Sequence, residues 1–171
     1  MRHNRIHILP VLTAVLFLAA AFPAPAQTSI YSFDKKSPDL IKKTYGTPIL
    51  EDAKAEFTPS YTLQYKNFCV YLDPDDYALV GFETESPDFV MLTGFVSGGI
   101  KVGDKISKLN GIEKKDPYFN KAGNGLKTPA IETQLCGKIA THILFEQTTE
   151  KYYFYVVNGI IKAMGYYSEY E

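Results

Sequence analysis

Beyond residue 5 the chain has no arginine, it has no tryptophan at all, and past residue 7 its one histidine is His142. With no guanidinium to read base edges or grip phosphates, and a formal net charge of −1, nucleic acid is not an expected partner. Cysteine is as scarce: Cys69 and Cys136 are the pair available. One histidine and two scattered cysteines offer no metal-ligand spacing, so no metal and no cofactor is expected. No glycine loop suited to cradling phosphate is present, and no Ser-His-Asp set beyond what one histidine allows. A Cys-His nucleophile using His142 stands formally beside the alternative of a disulfide or buried thiol plus a strand histidine. The acidic run Asp73-Pro-Asp-Asp76 lacks the later ligands and the loop glycine of a calcium site and reads as a solvated turn.

A long apolar run occurs once, Ile6 to Phe22, broken by Pro10 and Thr13. With Arg2 and Arg5 before it and Ala24-Pro25-Ala26 after it, residues 1–26 read as a secretory signal peptide rather than a membrane span. No cysteine follows to accept lipid, so the expectation is a periplasmic or secreted chain starting near Gln27, with no membrane insertion after cleavage. That mature part would hold 145 residues, with 16 lysines against 19 carboxylates, a net charge of −3. Its length suits one domain or two small repeats.

What is present is self-similarity. Ser37-Pro-Asp-Leu-Ile-Lys-Lys-Thr-Tyr-Gly46 aligns with Val102-Gly-Asp-Lys-Ile-Ser-Lys-Leu-Asn-Gly111, 65 positions on. Both copies read as short helices, the first with Ser37 as N-cap, Pro38 in its first turn and a glycine stop. Thr47-Pro matches Thr128-Pro at an offset of 81, and Val70–Phe82 matches Phe154–Tyr166 without a gap at an offset of 84, pairing Tyr71 with Tyr155 and Gly81 with Gly165. Strands are expected over Tyr61–Lys66, Phe68–Asp73, Tyr77–Glu85, Ile139–Gln147, Lys151–Val157 and Ile160–Ser168, with Asn158-Gly159 as a type I′ turn and Phe89–Phe95 as an additional strand. The expected class is α+β: two tandem repeats, residues 27–88 and 89–171, each a helical segment followed by an antiparallel meander. The growth in offset makes residues 112–127 an insertion of the second repeat, carrying Tyr118 and Phe119.

Those helix-glycine pairs, Ile41…Gly46 and Ile106…Gly111, and the strand pairs ending in Gly81-Phe82 and Gly165-Tyr166 resemble the tandem repeats of the β-lactamase inhibitor protein family. They are also similar to the single repeat of the small outer-membrane lipoproteins that assist barrel assembly. The resemblance implies a fold and a style of binding, not a ligand. Cys69 and Cys136 depart from the family's cysteine pairs within each repeat, and β-lactamase inhibition is not carried over. Gly99-Ile-Lys-Val-Gly-Asp104, with Leu-Asn-Gly111 behind it, also resembles the tail of a PDZ domain, which keeps a PDZ-like peptide binder as the alternative reading and a small hydrolase behind it.

Alternation puts Val70, Leu72, Phe154 and Val156 on one sheet face and Tyr71, Tyr153 and Tyr155 on the other. Tyrosine supplies rigid contact area with a polar tip, so this face is a candidate recognition surface, with Tyr118 and Phe119 as anchors from the insertion. The same alternation places Cys69 with the tyrosines, and a Cys69–Cys136 disulfide is expected to tie the repeats together. The functional expectation is an exported, non-enzymatic module that binds a protein or peptide.

Overall fold

Ser37 accepts a hydrogen bond from Leu40 N–H at 3.4 Å, Pro38 opens the helix and Gly46 closes it at φ 85°, so α1 (Pro38–Tyr45) is bounded as its sequence dictates. The computed structural model describes residues 27–52, 60–112, 126–128, 133–146 and 150–168. Within them the strands are β1 (Thr28–Ser29), β2 (Leu50–Asp52), β3 (Tyr61–Gln64), β4 (Phe68–Leu72), β5 (Leu79–Thr84), β6 (Phe89–Val90), β7 (Leu126–Lys127), β8 (Gln134–Leu135), β9 (Lys138–Ile139), β10 (His142–Glu146), β11 (Glu150–Val157) and β12 (Ile160–Ser168). Eight of them form one antiparallel sheet in the order β2-β3-β4-β5-β12-β11-β10-β7. Beside it, β1 pairs with β6 in parallel and β8 with β9 as a separate hairpin.

The expected α+β class with two helix-and-meander repeats is therefore corrected to a mostly β protein with a single α-helix among the described residues. Residues Ile106–Leu109, matched by sequence to the helix, make one 3₁₀ turn that no side chain caps. Its backbone is committed elsewhere: Ile106 N–H bonds Gly159 O, and Lys105 bridges Ile160 at the start of β12. Asp104, just before this turn, accepts from Lys101 N–H and from Lys108. Nor is this stretch built as PDZ strands, since it contributes bridges and turns rather than a ladder. Of the expected additional strand Phe89–Phe95, the strand β6 covers Phe89–Val90.

The offset of 84 has a different physical content. Phe82 of β5 lies opposite Tyr166 of β12, and the flanking pairs Gly81–Tyr167 and Glu83–Gly165 exchange under the same offset. Two hairpins, β4–β5 and β11–β12, thus meet through their second strands about a local two-fold axis, and each is bulged just after its tyrosine, Tyr71 and Tyr155. The turn Asn158-Gly159 takes φ 51° and 75°, as a type I′ turn requires.

One face of the sheet carries the main core. Leu63, Val70, Leu72, Phe82, Leu144, Tyr152, Phe154 and Met164 are buried there beneath Ile30, Phe33 and Ile41 and the segment from Phe89 to Ile112. No helix among the described residues is long and apolar enough to cross a membrane. Residues 1–26, Tyr118, Phe119 and most of the 112–127 insertion lie outside the described residues.

Candidate functional site

The second face follows from strand register. Because side chains alternate, the cross-strand row Gln64–Cys69–Glu83–Gly165–Tyr153 and the neighbouring row Thr62–Tyr71–Gly81–Tyr167 project to the same side, away from the main core. Ile30, Phe33, Ile41 of α1 and the segment from Phe89 to Ile112 cover the aliphatic face, and the tyrosines of these rows project from the other. Tyr71, Tyr153 and Tyr155 are each half-buried. What partly covers them is a hairpin, β8–β9, which seats Leu135 with Ala140 and Ala163 in a small second core. Burying Leu135 in full contributes about 2 kcal/mol to holding the hairpin down.

Two glycines make the seating possible. A Cβ on Gly165 would lie 2.4 Å from Leu135 Cδ2, so the hairpin leucine occupies the space a side chain would fill. A Cβ on Gly81 would lie 3.0 Å from ring atoms of both Tyr71 and Tyr167, whose rings meet across the glycine at 5.9 Å. Tyr167 also meets Tyr153 edge-on at 5.7 Å, so Tyr71, Tyr167 and Tyr153 run in a line across the sheet.

At the centre stands Glu83, 8% exposed. Its Oε1 accepts from the Tyr71 hydroxyl at 3.2 Å and from the Tyr167 hydroxyl, and its Oε2 accepts from Cys136 N–H at 2.6 Å. A buried carboxylate must be compensated in this way, and these bonds fix the hairpin turn to the sheet. Burial, then the Glu83 charge and its hydrogen bond, push Tyr71 and Tyr167 well above the usual tyrosine range. The Cys69 thiol is pushed up to about 11, chiefly by burial and further by Glu83, with a hydrogen bond to Tyr71 opposing. Cys136 is pushed up to about 12 by burial, then by Glu83. Both sulfurs are free, so the structure does not contain the expected disulfide; the Glu83 carboxylate interacts with both thiols.

Beside this cluster opens a cleft of 460 Å³, floored by Cys69, Tyr71, Glu83 and Cys136. Its rim is polar and exposed, with Gln64 at the end of β3, Lys66 and Asn67 of the β3–β4 turn, and Gln134 of the hairpin. Lys138 pairs with Glu85 at the wall. Tyr153 and Tyr155 share the face but do not line the cleft, so the structure brings Tyr71, Cys69 and Cys136 together and leaves those two tyrosines under the hairpin. No cluster of three metal-ligating side chains occurs among the described residues. His142, burial-lowered, bonds Thr141 through Nδ1 at 2.9 Å and is not among the cleft-lining residues, so it is not placed to activate either thiol. Sequence reasoning missed Glu83 and Tyr167. A partial signal for Glu83 was present: a carboxylate inside an expected strand, of the same parity as Gly81.

No family model matches the chain, and neither the curated proteins nor the solved structures contain a match.

Proposed function

We propose that the protein is an exported, non-enzymatic binding module whose cleft beside the β8–β9 hairpin takes a segment of a protein or peptide partner. The observation that carries this reading is the division of labour in the cleft. The ionisable groups of the floor are spent on one another, while the exposed amides of Gln64, Asn67 and Gln134 are ranged round an opening whose volume falls in the range of ligand sites. Amide rims suit a peptide backbone, offering both donors and acceptors, and the tyrosine beneath supplies rigid contact area. Nucleophilic chemistry is disfavoured by the same geometry, because thiols raised to about 11 and about 12 carry little thiolate near neutral pH. Export rests on the pattern of residues 1–26.

The test is capture of a partner from envelope extract on the immobilised chain, followed by titration of that purified partner against rim variants. Asn67→Ala and Gln134→Ala are both exposed and should each weaken binding about tenfold without changing the fold. Unchanged affinity in both variants would place the partner elsewhere.

A further inference from the structure

Glu83 is the one charged side chain that is buried among the described residues. Its hydrogen-bond donors are the Tyr71 and Tyr167 hydroxyls, the Cys136 N–H and, weakly, the Cys136 thiol, and every one of them is neutral. These bonds occupy its lone pairs but bring no opposite charge. The ion pairs of the described residues go instead to more exposed carboxylates, Asp39, Glu51, Glu85 and Asp104. Buried charges are ordinarily paired, and among the described residues Glu83 makes no ion pair. Its field reaches its surroundings all the same: beyond burial, that charge helps to hold the protons on Cys69, Tyr71, Cys136 and Tyr167.

Given that the cleft is the binding site, we propose that the partner segment presents a basic side chain, lysine or arginine, and that Glu83 on the cleft floor is its counter-charge. The other charges lining the cleft do not cancel that of Glu83. Glu85 is answered by Lys138, and Lys66 stands exposed at the rim, where water and salt screen it. An occupant removes what water still reaches Glu83. Beside a neutral or acidic group that loss is uncompensated, whereas a cation offsets it. The fold has already taken the carboxylate most of the way out of water, so the larger desolvation cost left at binding is that of the incoming cation. The contact open to that cation is the one held by the Cys136 thiol, because a weak S–H donor yields to a charged N–H donor. The same arrangement selects against acidic segments, whose carboxylates would meet a buried like charge.

The experiment selects a displayed library of random short peptides on the immobilised, folded chain and sorts the selected peptides by whether Asn67→Ala and Gln134→Ala weaken them. Those that are weakened, and so occupy the cleft, should share a lysine or arginine at one position. Replacing that residue by methionine, similar in length and uncharged, should weaken binding to the wild-type chain about tenfold, and should cost little on Glu83→Gln. Cleft-dependent peptides with no shared basic position, or a methionine replacement that costs nothing on the wild type, would overturn the proposal and leave the cleft as the binding site. An equal cost on wild type and on a folded Glu83→Gln chain would overturn it too. Peptides indifferent to both rim variants would count against the cleft itself and remove this proposal with it. The methionine replacement is read on the wild-type chain, so it decides even where Glu83→Gln misfolds.

Discussion

Glu83 sets the chemistry of its neighbours one residue at a time. Burial makes Cys69, Cys136, Tyr71 and Tyr167 harder to ionise, and the Glu83 charge adds to it in the same direction. The sign for stability follows directly. In the unfolded chain the thiols lose protons near their ordinary value of 9.0, while in the folded chain they hold them to about 11 and about 12. Between those limits the unfolded state binds fewer protons, so stability falls as pH rises. The buried tyrosines add the same sign above their ordinary 10.0, Tyr166 included, raised by burial and then by Glu150. The urea midpoint of the reduced chain should therefore be level between about pH 7 and pH 9 and decline above that, less steeply in Cys136→Ser. A midpoint level through pH 11 would show that Cys69 and Cys136 are not buried as thiols. At this scale the sequence was readable wherever parity decided the matter: Cys69 and Tyr71 share a face because they stand two apart in a strand. Cys136 was not, because its partner is fixed by a hairpin docking that no local period encodes.

The element that shapes the cleft is the β8–β9 hairpin, and its docking depends on Gly165. Gly165→Ala should lift the hairpin, since the new Cβ would fall 2.4 Å from Leu135 Cδ2, and should cost about 1–3 kcal/mol. Truncating Leu135 to Ala removes the clash along with the burial. In a double-mutant cycle by urea unfolding, the two substitutions should cost clearly less together than the sum of their separate costs. Strict additivity would mean that Leu135 does not sit over Gly165. The sequence match of Gly81 to Gly165 was visible from the start, but its cause was not. Each glycine clears space for a side chain arriving from elsewhere: tyrosine rings over Gly81, Leu135 over Gly165. Elements with local signals were legible, as Ser37, Pro38 and Gly46 show for α1 and Asn158-Gly159 for the β11–β12 turn. Ile106–Leu109 misled because the resemblance to α1 stops at its glycine. Without Ser37-Pro38, and with Ile106 N–H and Lys105 bound to the β11–β12 end, a 3₁₀ turn is what remains.

For the molecule as a whole, the two units inferred from the sequence share one sheet rather than folding beside each other. The seam is the β5–β12 pair, where Phe82 meets Tyr166 and the matched hairpins face each other about a two-fold axis. Local propensity gives strands and turns but not the partner of each edge, so two meanders and one continuous sheet look alike from the sequence. The distinction matters for function, because the continuous sheet brings Glu83 and Tyr167 onto one surface and lets the hairpin wall a cleft there. That this cleft is the binding surface is the central claim. Its most direct test is hydrogen exchange of the chain alone and in complex with the captured partner. The account predicts added protection at residues 64–69 and 134–138, the two walls of the cleft, with the sheet end at β10 unchanged. Protection confined to other surfaces, with both walls exchanging as in the free chain, would contradict it.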